Sequence, residues 1–340
     1  MHIGILGDGG WGTALAILLA KKGYSVGLWG YFADYLDILE RKRENIKFLP
    51  GIKIPSSVRI IKDINNIIDN FSIIVIAIPS KYLRFVIQDF SSFNFEKKIV
   101  LSVVKGLEEN SYLRPSEIIQ SVLGKVKLAV LSGPSIAREV AQDIPTAVVI
   151  ASQDMDMAKK LQKIFSTETF RVYVHSDVVG VELGGALKNI IAIACGISDG
   201  LGFGTNTKSA LLNRGLVEMI RLGVSLGAKP ETFWGLSGMG DLVTTCFSPY
   251  SRNRGVGERI GKGEKIKKIM HKMEMVAEGV LTTRAAYELA KRLNVEVPIT
   301  EQVYKVLYEH KSPRKAVKEL MTRKLKEEFG WCSSAPIPSE

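Results

Sequence analysis

His2-Ile3-Gly4-Ile5-Leu6-Gly7-Asp8-Gly9-Gly10-Trp11-Gly12 opens the chain with a short apolar run that breaks into glycines. Residues 2–6 predict a buried strand, and residues 11–22, closed by Gly23, predict the helix after it. Between them Gly7, Gly9 and Gly12 keep the spacing G-x-G-x-x-G. In that pattern the first glycine permits a tight turn and the second lets the backbone approach a pyrophosphate. The third lets helix and strand pack closely, with the diphosphate at the positive helix N-terminus. An ordinary glycine-rich turn is the alternative. The strand–turn–helix context, with further βαβ units downstream, favours dinucleotide binding over it.

Further strands are predicted at 25–29, 72–78, 99–104, 128–131, 146–151 and 170–174. The run 72–78 shows no polar alternation and stops at Pro79, as a strand buried on both faces does. Helical patterns at 33–43, 82–90, 115–123 and 155–165 alternate with these strands, the rhythm of a doubly wound, mostly parallel sheet. After about Ser176 the β-branched runs stop, and helices are predicted at 179–197, 208–226, 283–293, 301–308 and 313–324. The expected fold is α/β: a Rossmann-like domain over 1–175 and an all-α domain over 176–330. The unpatterned residues 331–340 are expected to form a disordered tail.

With 340 residues and 46% hydrophobic composition, the chain is long enough for two cores and is neither disordered nor collagen-like. Cys195, Cys246 and Cys332 are odd in number and form no CxxC pair, which argues against a disulfide framework and points to the cytoplasm. No stretch is read as a membrane span or a signal peptide. The net charge of +11 attracts anions without choosing among them. The basic stretch Lys262, Lys265, Lys267, Lys268 and Lys272 has no interleaved aromatics and reads as a solvated face, so no nucleic acid is expected. The four histidines lack metal-ligand spacing, and no metal is expected.

An acid at the end of the second strand would mark an NAD site, but Leu28-Trp29-Gly30-Tyr31 supplies neither an acid nor an arginine. The choice between NAD(H) and NADP(H) stays open, and use of both is expected. Lys188 is the one charge in a window, 183–197, that is apolar on every helix face. Burial lowers a lysine's pKa into a range useful for proton transfer, unless the side chain snorkels out or pairs with a structural acid.

Other polar clusters sit where such folds place ligands. Lys105-Gly106 and Ser132-Gly133-Pro134-Ser135 each follow a strand. The segment 237–241 reads as a flexible glycine turn ending in Asp241. Ser251-Arg252-Asn253-Arg254 groups two guanidiniums and an amide suited to a phosphate.

These stretches together resemble the bacterial NAD(P)-dependent glycerol-3-phosphate dehydrogenase family over about residues 1–330. The matching motifs are GDGGWGTALA (7–16), KGLE (105–108), LSGPS (131–135) followed by Ala137, and VELGGALKNIIAIA (181–194). SDGLGFG (198–204), GDL (240–242), SRN (251–253), VAEG (276–279) and PITE (298–301) complete them. The resemblance implies reversible hydride transfer between dihydroxyacetone phosphate and sn-glycerol 3-phosphate, supplying glycerophospholipid synthesis, by a homodimer. It implies that Lys188 exchanges the proton, and that Lys105, Gly133, Ser135, Asp241, Ser251, Arg252 and Asn253 line the substrate site. Gly10, Trp11, Tyr31, Lys105, Ala137, Arg252, Val276 and Glu278 would contact the dinucleotide. Gly10 stands where the family commonly has Ser, and Tyr31 where Arg or His is common.

Two rival readings remain. The β-hydroxyacid dehydrogenases share this plan but carry Asn four residues after the catalytic lysine, where this chain has Ala192. A nucleotide-sensing protein without turnover would have no need of a buried proton donor.

Overall fold

The computed structural model describes residues 2–273 and 276–328. The expected tail, 331–340, lies outside them. Eight strands form one sheet: β1 (His2–Leu6), β2 (Ser25–Trp29), β3 (Val58–Ile60), β4 (Ile73–Ile76), β5 (Ile99–Ser102), β6 (Lys127–Ser132), β7 (Thr146–Ala151) and β8 (Phe170–His175). Their order is β3-β2-β1-β4-β5-β6-β7-β8. All neighbours run parallel except β6 and β7, which are antiparallel. The first six strands have the doubly wound order, in which the sequence of strand addition switches sides between β1 and β4.

The lack of alternation in 72–78 has the expected cause. Ile73 and Val75 enter the core on one side of the sheet, and Ile74 and Ile76 enter the core on the other. Three elements of this half went unpredicted: the short strand β3 and the helices Ile64–Asn70 and Ala137–Ala141. Each is at most seven residues long, too short for a periodicity to register.

Among the described residues no strand follows His175. The helix Val178–Gly200 is buried from Gly180 to Ser198 and runs through a separate apolar core built by the helices around it. It is long and apolar enough to cross a membrane, contrary to the expectation that no stretch is, yet it is the buried core helix of this half. No helix is predicted from the sequence between the helices Thr205–Ser225 and Glu278–Arg292. That region holds a 3₁₀ turn (Pro230–Trp234), a π-helical turn (Leu236–Gly240) and the helices Asp241–Phe247, Arg252–Gly261 and Ile266–His271. The segment 237–241 is therefore no flexible turn: Ser237 and Gly238 are buried and Asp241 starts a helix. The five lysines between 262 and 272 are exposed, as a solvated face should be.

Candidate active site

The glycine loop leaves β1 and enters the helix Gly10–Lys21 as the spacing predicts. Gly7 has φ +123°, a conformation that costs a side chain dearly. A Cβ on Gly12 would lie 1.9 Å from the Gly7 carbonyl oxygen, so only glycine lets helix and loop meet this closely. Gly9 faces open space, with nothing within 4 Å of a Cβ built there. The helix that follows has no side-chain cap and no acid in its first turn, so its leading N–H groups are left for an anion. These features fit a dinucleotide diphosphate.

Gly10 has its own reason to differ from serine, because a Cβ there would lie 2.6 Å from the Phe48 carbonyl oxygen. Trp11 turns its indole inward, tilted against Phe170 at 6.5 Å, and its Nε1 is buried without a partner. Ala137 lies beside the loop, 3.8 Å from a Cβ on Gly10. Tyr31 stands exposed just past β2.

Past the C-terminal end of β5, Lys105 projects toward the loop after β6. Its Nζ donates to the Gly133 carbonyl at 2.8 Å, to Ser135 Oγ at 3.2 Å and to Asp241 Oδ2 at 2.8 Å. The other oxygen of Asp241 accepts from Lys188 Nζ at 2.6 Å, and Lys188 also donates to Thr245 Oγ1 at 2.5 Å. One carboxylate, 2% exposed, thus joins two ammonium groups from the two halves of the molecule. Glycines in the core helix permit this approach: a Cβ on Gly184 would lie 2.7 Å from the Ser237 carbonyl oxygen, inside the turn that delivers Asp241.

Lys188 is 5% exposed and does not snorkel. Burial lowers its pKa to about 8, with the charge on Lys105 helping and Asp241 opposing. Thr245 escaped the sequence reading. It sits four residues after Asp241 on one helix, a spacing that carries meaning only once Asp241 is known to begin that helix.

Ser251 caps the helix Arg252–Gly261, its hydroxyl accepting from the Arg254 N–H. Arg252 is exposed and donates to the Val276 carbonyl at 2.8 Å. Asn253 is committed at both ends: its Nδ2 donates to Asn189 Oδ1 at 2.8 Å, and its Oδ1 accepts from the Gly279 N–H at 2.9 Å. That pair ties the core helix to the helices beginning at Arg252 and Glu278. Arg254 turns away to Asp199, at 2.7 Å, and is no part of the cluster.

Glu278 reaches the sheet and accepts from the Ser80 N–H at 2.9 Å and from the Ser80 hydroxyl. Burial pushes its carboxyl above the ordinary range. Among the described residues, no group of three or more His, Cys, Asp or Glu is placed to hold a metal.

A glycine loop fit for a diphosphate at the switch of a mostly parallel sheet, in one chain with a buried lysine whose pKa is lowered, marks the class of NAD(P)-dependent oxidoreductases. Comparison narrows the class. Residues 2–158 match the N-terminal model, and 177–318 the C-terminal model, of NAD-dependent glycerol-3-phosphate dehydrogenase. The glycerol-3-phosphate dehydrogenase [NAD(P)+] of Citrifermentans bemidjiense is 52% identical, over 96% of this chain and 98% of its own length. That of Chlorobium phaeobacteroides is 50% identical, over 97% and 100%. The crystal structure of glycerol-3-phosphate dehydrogenase from Coxiella burnetii superposes with a TM-score of 0.91 at 41% identity, covering 95% of this chain and 99% of that one. The chain belongs to the NAD-dependent glycerol-3-phosphate dehydrogenase family.

Proposed function

We propose that Lys188 is the proton donor and acceptor in the reversible reduction of dihydroxyacetone phosphate to sn-glycerol 3-phosphate, the product that feeds glycerophospholipid synthesis. The observation that carries this reading is the Asp241 carboxylate shared by Lys188 and Lys105 at the C-terminal end of the sheet.

Gly7, Gly9, Gly10, Trp11 and Gly12, with Tyr31, Ala137, Val276 and Glu278 around them, would hold NAD(H) or NADP(H), which when bound would supply or accept the hydride. Negative charge then grows on the substrate's carbonyl oxygen. The Lys188 ammonium stabilises that charge and gives up its proton, and in the reverse direction the neutral amine takes the proton back. Asp241 holds Lys188 in place and keeps enough of it protonated near neutral pH. Lys105, anchored on Gly133 and Ser135, fixes the other oxygen of Asp241 and adds positive charge near the substrate.

Arg252 is the phosphate anchor, because its side chain is exposed and its guanidinium offers paired donors. Ser251 positions the helix that carries Arg252, and Asn253 ties that helix to the catalytic one. Residues 1–175 hold the dinucleotide, and residues 176–330 bring Lys188, Asp241 and the phosphate anchor. The protein works as a homodimer in the cytoplasm, a setting supported by the family resemblance and by the free, buried Cys195 and Cys246.

The test is a fall in nicotinamide absorbance on adding dihydroxyacetone phosphate, run beside small 2-oxo and 3-oxo acids. Turnover of the acids with dihydroxyacetone phosphate inert would move the chain to the β-hydroxyacid dehydrogenases. Sedimentation velocity of the purified protein separates dimer from monomer.

A further inference from the structure

The second strand ends without the acid that accepts the ribose hydroxyls in NAD sites, but the position is not empty. A Cβ built on Gly30, the residue after β2, would lie 2.3 Å from Asp8 Cγ, with the two carboxylate oxygens at 2.4 and 2.7 Å. The Asp8 carboxylate therefore fills the volume where a side chain leaving the strand end would start. Gly30 is the residue that leaves room for it.

Asp8 is the variable residue between the first two glycines of the loop. It is held there by its own backbone. Its carbonyl oxygen accepts from the Asn45 amide at 2.7 Å and from the Thr13 hydroxyl at 3.4 Å, and both of those side chains are fully buried. Its carboxylate is partly buried, and no other described residue donates a hydrogen bond to it or pairs with it as an ion. Lys47 acts on it only through charge at a distance, and burial raises the carboxyl to about 6. An acceptor group so placed, met by its own backbone N–H and by no other described donor, is suited to an incoming donor. Tyr31, which directly follows Gly30, is grouped with two other rings that have large exposed areas. Tyr31 lies 5.4 Å from Phe32 and 6.0 Å from Phe85, offering flat apolar surface for a purine.

We propose that Asp8, from the glycine loop, takes the part usually played by an acid at the end of the second strand, holding the adenosine ribose and favouring NAD(H) over NADP(H). The proposal rests on the reading of residues 7–12 as a dinucleotide cradle. A carboxylate accepts hydrogen bonds from the vicinal 2′- and 3′-hydroxyls of NAD(H). The 2′-phosphate of NADP(H) removes one of those donors and sets negative charge against negative charge. The strand end alone leads to the expectation that both dinucleotides are used, and Asp8 adds to it a preference set from another part of the chain.

The test is direct binding of NADH and NADPH, without substrate, followed by nicotinamide fluorescence for the wild type, Asp8→Asn, Asp8→Ala and the double variant Asp8→Ala/Gly30→Asp. Wild type should bind NADH about ten- to a hundredfold more tightly than NADPH, the scale of one or two hydrogen bonds to a charged group. Both single variants should bring that ratio close to one, chiefly by weakening NADH. The double variant, with an acid returned to the strand end, should restore the preference.

Equal or tighter binding of NADPH by the wild type overturns the role of Asp8 and leaves the cradle standing, as does an unchanged ratio in Asp8→Asn. Binding of neither dinucleotide by the folded wild type overturns the cradle, and the proposal with it. If Asp8→Ala fails to melt cooperatively, the near-isosteric Asp8→Asn and the wild-type ratio decide the matter.

Discussion

The dinucleotide end and the catalytic end of the site are built on different plans. The dinucleotide end is mostly backbone, made within residues 7–12 by glycines that permit a turn, a close approach and an uncapped helix. The catalytic end is made mostly of side chains, with Lys105, Ser135, Lys188 and Asp241 drawn from four separate segments up to 136 residues apart. A backbone site depends on local conformation, so one added methyl breaks it. A side-chain site depends on convergence, so it tolerates changes of shape but not of charge.

The largest test of that contrast is Lys188→Met. Turnover should fall by about 10²-fold or more, the scale of lost acid–base catalysis, while NADH binding is unchanged. The fold should survive, because Asp241 keeps Lys105 as its partner at 2.8 Å and methionine suits an apolar helix. Lys188 is held at about 8 in the folded chain against an ordinary 10.5, so the unfolded chain binds the extra proton between those values. The cost of its burial is therefore full below about pH 8 and relaxes as pH rises toward 10.5. Melting curves should show the variant's advantage over wild type shrinking across that window. Near-normal kcat in the variant would remove Lys188 from the chemistry.

Arg252 comes next, since a side chain holds the phosphate as well. Arg252→Ala should lose roughly 1.5–3 kcal/mol in kcat/KM for the phosphorylated substrate, with Arg252→Lys between it and wild type. Unphosphorylated dihydroxyacetone is the control. It should be a poor substrate for wild type and little worse for the variant. An equal loss on both substrates would assign Arg252 to the dinucleotide or to structure, with Lys105 the remaining cation of the cluster. Arg254, the other guanidinium in the motif, is spent on Asp199.

On the backbone side, Gly12→Ala puts a methyl 1.9 Å from the Gly7 carbonyl oxygen. The helix must move off the strand, so stability should drop by about 1–3 kcal/mol and dinucleotide binding should fall with it. Unchanged melting and NADH affinity would show that the cradle does not depend on close-packed backbone.

The same division explains what the sequence disclosed. The cradle was legible because G-x-G-x-x-G is local, and the sheet was legible because strands such as β4 are apolar on both faces. Lys188 stood out because a charge within an apolar helix violates the pattern. Three things were hidden. Thr245 depends on where a helix starts, the π-helical delivery of Asp241 looks like a loose glycine turn, and Asp8 reaches a strand end 22 residues away only through the fold. Family resemblance could list Asp241 beside Lys188, but only the three-dimensional arrangement puts one carboxylate between two lysines.

The smallest expected effect concerns how finely that arrangement tunes Lys188. Thr245 Oγ1 accepts from the Lys188 ammonium and donates to the Asp241 carbonyl at 2.7 Å. It is thus a neutral acceptor that favours the charged lysine without adding charge of its own. In the reduction direction the ammonium is the required form, so kcat/KM should fall as pH rises through the lysine's pKa, about 8 in the free chain. In the oxidation direction the neutral amine is required, and kcat/KM should rise through the same point. Thr245→Val keeps the shape and removes the acceptor, so the charged form loses stabilisation and the midpoint must move down. A hydrogen bond to a charged group is worth about 1.5–3 kcal/mol, and part of it is recovered from Asp241, so a shift of about one pH unit is expected. The limbs for reduction and oxidation should move together, because one group serves both. A loss of kcat with the midpoint unmoved would make Thr245 a packing residue. Limbs that move apart would mean that donor and acceptor are different groups, and the shared-carboxylate arrangement would then serve only to hold the two halves of the molecule together.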